Sequence, residues 1–62
     1  MEFIFKNYKG WPLGWRGSTA EVWFSPHTAP IVVIGRIQAE LFRERIADKL
    51  GKKIGEIEII AI

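Results

Sequence analysis

Residues 31–51, IVVIGRIQAELFRERIADKLG, decide how the rest of this 62-residue chain is read. The first four are an unbroken β-branched run, which suits a short strand buried on both faces better than one turn of buried helix. Past Gly35 the apolar period changes. Ala39, Phe42, Ile46 and Leu50 recur at spacings of three and four, which predicts a helix over 37–50 with one buried stripe. Gly51 stands where such a helix ends in the left-handed region. A strand that runs directly into a helix needs further strands for that stripe to cover.

Both flanks supply them. Downstream, KKIGEIEIIAI (52–62) places Ile57, Ile59 and Ala61 on one face and Glu56, Glu58, Ile60 and Ile62 on the other. Upstream, EFIFKNY (2–8) sets Phe3 and Phe5 against Glu2, Ile4 and Lys6, and AEVWFS (20–25) sets Val22 and Phe24 against Glu21 and Trp23. Two prolines in PHTAP (26–30) cannot donate to a ladder and mark a connection. KGWPLGWRGS (9–18) reads as a long loop holding two of the three tryptophans. The expected fold is α+β, a single domain over 1–62. Its mainly antiparallel sheet of three to four strands carries one helix on one face, in the order β-β-β-α-β.

Composition sets the limits. At 48% hydrophobic, 13% aromatic and 26% charged residues the chain has the balance of a folded domain. It is close to the size at which one core barely offsets conformational entropy, and without cysteine no disulfide or thiolate metal site can assist. The apolar runs 31–34 and 59–62 are too short to span a bilayer, and the N-terminus lacks the features of a signal peptide, so the expected location is cytoplasmic. A net charge of +2 and a pI near 9.3 permit contact with nucleic acid or an acidic partner.

Enzyme chemistry has little to draw on. The single histidine, His27, stands in a turn between Pro26 and Thr28 with no carboxylate placed behind it, and one histidine with surface carboxylates makes a poor metal site. GWPLGWRGST (10–19) has the glycines of a phosphate loop but not its lysine, and a strand rather than a helix follows. No catalytic residue, metal or cofactor is expected.

Residues 22–62, above all TAPIVVIGRIQAELFRERIADKLGKKIGEIEIIAI, resemble the core of a KH domain of the type II form found in a small-subunit ribosomal protein. The likeness rests on Val33, Ile34, Gly35, Arg36 and Ile37, then the helix to Leu50 and the strand from Ile57 to Ile62. Gln38 stands where the family's loop has its second glycine. The resemblance implies binding of single-stranded RNA or DNA across a hydrophobic groove, with the loop at Gly35, Arg36 and Ile37 clamping the backbone. Lys9, Arg16, Lys52 and Lys53 supply further positive charge, and Trp11 or Trp15 a stacking surface.

A protein-interaction module, acting as a homodimer or as a regulator of a larger protein, is the alternative. One helix covers one sheet face; the other would hold Ile60 and Ile62, with Ile4 and Tyr8 alongside. On the helix, Leu41 and Ile37 lie between an acidic column of Glu40, Glu44 and Asp48 and a basic column of Arg45 and Lys49. Trp11, Trp15, Leu41, Ile60 and Ile62 are the partner-binding candidates. The two loop tryptophans either complete the core or carry an interface.

Overall fold

The computed structural model describes residues 1–18 and 20–62. Thr19, the last residue of the stretch compared with a phosphate loop, lies outside them. Among the described residues five strands, one helix and a short 3-10 turn follow in order: β1 (Glu2–Lys6), β2 (Leu13–Trp15), β3 (Val22–Phe24), β4 (Val33–Ile34), α1 (Arg36–Leu50), the turn Ile54–Glu56, and β5 (Glu58–Ala61). β1 is the centre of an antiparallel sheet β4-β1-β5, and β2 and β3 form a separate antiparallel pair. The class is α+β, as the alternating patterns require. The expected single sheet of three or four strands is instead two sheets of three and two.

Two readings account for the difference. β1 stops at Lys6 rather than continuing to Tyr8, because Asn7 caps a tight turn. Its side-chain oxygen accepts the N–H groups of Lys9 and Trp11, both at 3.0 Å. Gly10 at φ 77° completes the turn, in a region that favours glycine. The chain then returns antiparallel, with Pro12 opposite Lys6, into a strand that a loop reading of 9–18 passes over. Leu13 faces Phe24, Gly14 faces Trp23 and Trp15 faces Val22 across that pair.

The core forms where the two sheets meet the helix. Phe3, Phe5, Leu13, Val22, Ala39, Ile46, Ala47 and Ile57 are buried together, with Phe24, Ile31, Val33, Phe42, Leu50 and Ile59 packed around them. The Phe5 and Phe42 rings lie 5.3 Å apart between centroids, tilted by 42°, a favourable aromatic geometry. Leu13, from the presumed loop, is fully buried. The buried helical stripe also includes Ala47, while Phe42 and Leu50 at its margin are only half-buried.

The 31–34 run is a correction. It is not buried on both faces: Ile31 and Val33 pack on the core, while Val32 and Ile34 are 46% and 71% exposed. β4 lies at the sheet edge, pairing only Glu2 with Ile34 and Phe3 with Val33. Its apolar residues alternate without their environments being equivalent.

α1 begins one residue earlier than its stripe suggests, at Arg36, after Gly35 at φ 93°. It ends in a Schellman arrangement: Gly51 at φ 66° donates to the Asp48 carbonyl and Lys52 donates to that of Ala47, at 3.3 and 2.8 Å. A side chain at Gly51 would meet no neighbour, so substitution there isolates the backbone cost. Gly51→Ala is expected to lower stability by about 1 kcal/mol. Urea denaturation checks this; a midpoint equal to that of the parent protein would contradict the assignment. Among the described residues no helix is long and apolar enough to cross a membrane.

Candidate nucleic-acid interface

The Asn7 turn that ends β1 also projects its neighbours. Tyr8 is 81% exposed, and the Lys9 ammonium lies 4.6 Å from the Trp11 ring centroid and 5.7 Å from that of Tyr8. These are cation–π distances, in which the ring quadrupole holds the charge over the aromatic face. Facing this turn is Trp23 on β3. The β alternation that buries Val22 turns Trp23 outward, where it remains 41% exposed with the Arg16 guanidinium 5.2 Å from its ring. Lys52 arrives from the third direction, placed by the Schellman ending of α1.

Together these side chains line an open cleft of about 320 Å³. Tyr8, Lys9, Trp11, Trp23 and Lys52 form its accessible walls, with Asn7, Phe24 and Leu50 completing the lining. Four aromatic rings and two ammonium groups line one concavity, and a third cation, Arg16, sits over one of the rings. Bases have flat apolar faces and phosphates have negative charge, so this pairing of residue types can hold both parts of a nucleotide strand.

A second cleft, of about 360 Å³, adjoins the first and shares Asn7 and Tyr8 with it. Arg36 and Arg43 enter it from the helix, opposite residues 55–59. Arg43 Nη1 donates to the Ile57 carbonyl at 3.4 Å, while its Nε is buried without a partner. Arg36 rests with its guanidinium 5.6 Å from the Phe3 ring centroid. Glu56 and Glu58 also border this cleft, so its field is mixed, unlike that of the first. Glu56 is partly engaged, accepting the Lys53 N–H at 3.1 Å.

Of the residues singled out for nucleic acid, Lys9 and Lys52 thus share a cleft, Arg16 sits on a ring that lines it, and Arg36 occupies the adjoining one. Gly35, Ile37 and Lys53 line neither. Ile37 is 73% exposed on the first turn of α1, and Gln38 is already inside the helix.

The partner-binding candidates do not share one surface. Trp11 belongs to the aromatic cleft, and Trp15 borders Val22, Phe42, Ile46 and Lys49 beside the helix. Leu41 is half exposed on the helix, lining a groove with Gln38, Glu44 and Arg45. Ile60 and Ile62 belong to the sheet face opposite α1. Both tryptophans border helix residues.

Tyr8, Trp23 and Arg43 line the clefts without having been singled out. Trp23 was legible as an outward position of a half-buried strand. Tyr8 was hidden by its reading as a strand residue, and Arg43 by its place in a charged helix. Comparison of the chain with protein-family models, with curated proteins and with solved structures finds no match.

Proposed function

We propose that the protein is a small non-enzymatic module that binds single-stranded RNA or DNA, stacking bases in the cleft of Tyr8, Trp11 and Trp23. Lys9, Arg16 and Lys52 take the phosphates. The observation that carries this reading is the meeting of exposed aromatic rings and cations in one concavity built from three separate parts of the chain. A base that stacks on Trp11 takes the ring face opposite Lys9, or displaces that ammonium onto the neighbouring phosphate. Either way the charge stays beside the strand.

The adjoining cleft extends the track past Tyr8 to Arg36, where the KH-like resemblance expects backbone contact. A phosphate there would meet a guanidinium at the start of a helix, with Glu56 and Glu58 in the same cleft weakening the attraction. The acidic column on α1 lies elsewhere, among exposed residues that line neither cleft.

Quenching of tryptophan emission by a random-sequence single-stranded oligonucleotide tests the proposal. With about three phosphates neutralised, affinity is expected to fall roughly 20-fold between 50 and 200 mM salt. Quenching that does not saturate, or that ignores salt, would reject it. Arg36→Ala is expected to weaken binding about 5- to 10-fold and to flatten the logarithmic salt slope by about 0.7, the loss of one phosphate contact. An unchanged slope would remove Arg36 from the track and leave the aromatic cleft as the whole site.

A further inference from the structure

Asn7 stands where the aromatic cleft and its neighbour meet, lining both. Its side-chain oxygen already accepts the Lys9 and Trp11 N–H groups, both at 3.0 Å. Two backbone donors on one branch settle which end of the amide is which, because an NH2 group there would face two other donors. The NH2 is therefore the branch left over. It has no hydrogen-bond partner among the described residues. Nor is it sealed in: Asn7 is half-buried, and the one buried side-chain polar atom without a partner among the described residues is Arg43 Nε. What Asn7 offers to a molecule in the cleft is a pair of donors on a single nitrogen, held still by the turn that its oxygen closes.

The other polar side chains of the aromatic cleft match it. Lys9 and Lys52 bring ammonium groups, and Trp11 and Trp23 bring indole N–H groups, all of them donors that cannot accept. The Tyr8 hydroxyl can do either, and no carboxylate lines this cleft among the described residues.

We infer that the cleft selects guanine over adenine, with the Asn7 NH2 group donating to N7 and O6 of the stacked base. This selectivity rests on the base stacking proposed for the same cleft. Both purines present rings of the same size to Tyr8, Trp11 and Trp23, so stacking gives little preference between them. Their outer edges differ. Guanine sets two acceptors side by side, N7 and O6, whereas adenine sets the acceptor N7 beside a donor amino group. An asparagine that reads adenine uses its oxygen and its NH2 together, one on each. Here the oxygen is engaged by the turn, so that pairing is closed and the amino group of adenine would meet another donor. The adjoining acceptors of guanine can take the NH2 as they take a lysine ammonium in duplex DNA.

Fluorescence anisotropy with thymidine oligonucleotides roughly six nucleotides long, each carrying one central purine, tests the assignment. Guanine at that position is expected to raise affinity about 3- to 10-fold over adenine, the usual net contribution of one hydrogen-bonded group. Inosine, which keeps N7 and O6 but lacks the guanine amino group, is expected to match guanine within about twofold. 7-Deazaguanine, which loses the N7 acceptor, is expected to fall at least about twofold below guanine. Asn7→Asp keeps an oxygen for the Lys9 and Trp11 N–H groups and replaces the NH2 by a second oxygen. Its added charge lowers affinity for every oligonucleotide, so the guanine-to-adenine ratio is the readout, one that a purely structural role for Asn7 would not move. That ratio is expected to fall to about one or below. Equal affinity of the parent protein for guanine and adenine would overturn the assignment, and so would a guanine preference that survives in Asn7→Asp. Saturable binding without preference strikes guanine selection alone, whereas no saturable binding to any of the four oligonucleotides removes the strand-binding reading beneath it.

Discussion

Gly14→Ala is expected to destabilise the protein by about 2–3 kcal/mol, the upper part of the usual range for overpacking. For a 62-residue chain this is a large part of a total of roughly 3–9 kcal/mol. Gly14 is in the middle of β2, where a Cβ would lie within 2.6 Å of the Ala29 carbonyl oxygen and would strike the Thr28 side chain. Thr28 could rotate, but Ala29 contributes backbone. The connection is pinned nearby, since the Ile31 N–H donates to the Leu13 carbonyl at 2.9 Å and the Ser25 N–H to that of Pro12 at 3.1 Å. Relief of the clash would pull β2 from β3 or open the connection to β4. Thermal unfolding followed by circular dichroism should show the midpoint falling by roughly 15–20 °C. Gly55→Ala is the control, because a Cβ there meets nothing within 4 Å. A Gly14→Ala midpoint within a few degrees of the parent would show that the close approach is not needed.

Trp11→Ala is expected to weaken single-stranded oligonucleotide binding about 10- to 100-fold, the usual contribution of one aromatic–base stack. Trp11 is half-buried and shares its cleft with Phe24 and Leu50, so the truncation also removes packing. Two companions separate the effects. Trp11→Phe keeps a flat ring and should retain most of the affinity. Tyr8→Ala, at an 81% exposed position, should weaken binding severalfold without moving the thermal midpoint. Fluorescence anisotropy of a labelled oligonucleotide measures all three. Full affinity in both Trp11→Ala and Tyr8→Ala would place the site outside this cleft.

The helix and its stops were legible because they depend on neighbours close in the chain. The recurrence of Ala39, Phe42, Ile46 and Leu50 and the glycine at 51 are local signals, and the helix ends where they indicate. β1, β3 and β5 were likewise legible from alternation, although β1 ends early at Asn7. β2 was not. LGW is three residues long, sits among Gly, Pro and Arg, and has no alternation long enough to register. Its stability comes from pairing with β3 and from burial of Leu13, both of which depend on residues far along the chain.

The site divides the same way. Lys9, Arg16, Lys52 and Trp11 could be named as residue types suited to nucleic acid. That three of the four line one cleft, with Arg16 on a ring beside them, follows from the Asn7 turn, the β2–β3 pairing and the Schellman ending of α1 acting together. Lys53, equally basic and adjacent to Lys52, lies outside it.

By itself the sequence determined the α+β class and one helix with its buried stripe and glycine stop. These follow from the periods of hydrophobic residues, which act over a few positions. Only the tertiary structure decided that the two tryptophans of residues 9–18 lie on the helix side, and that Val32 and Ile34 face outward from an edge strand. The reason is register: identical local patterns become core, cleft or interface according to which distant strand they pair with.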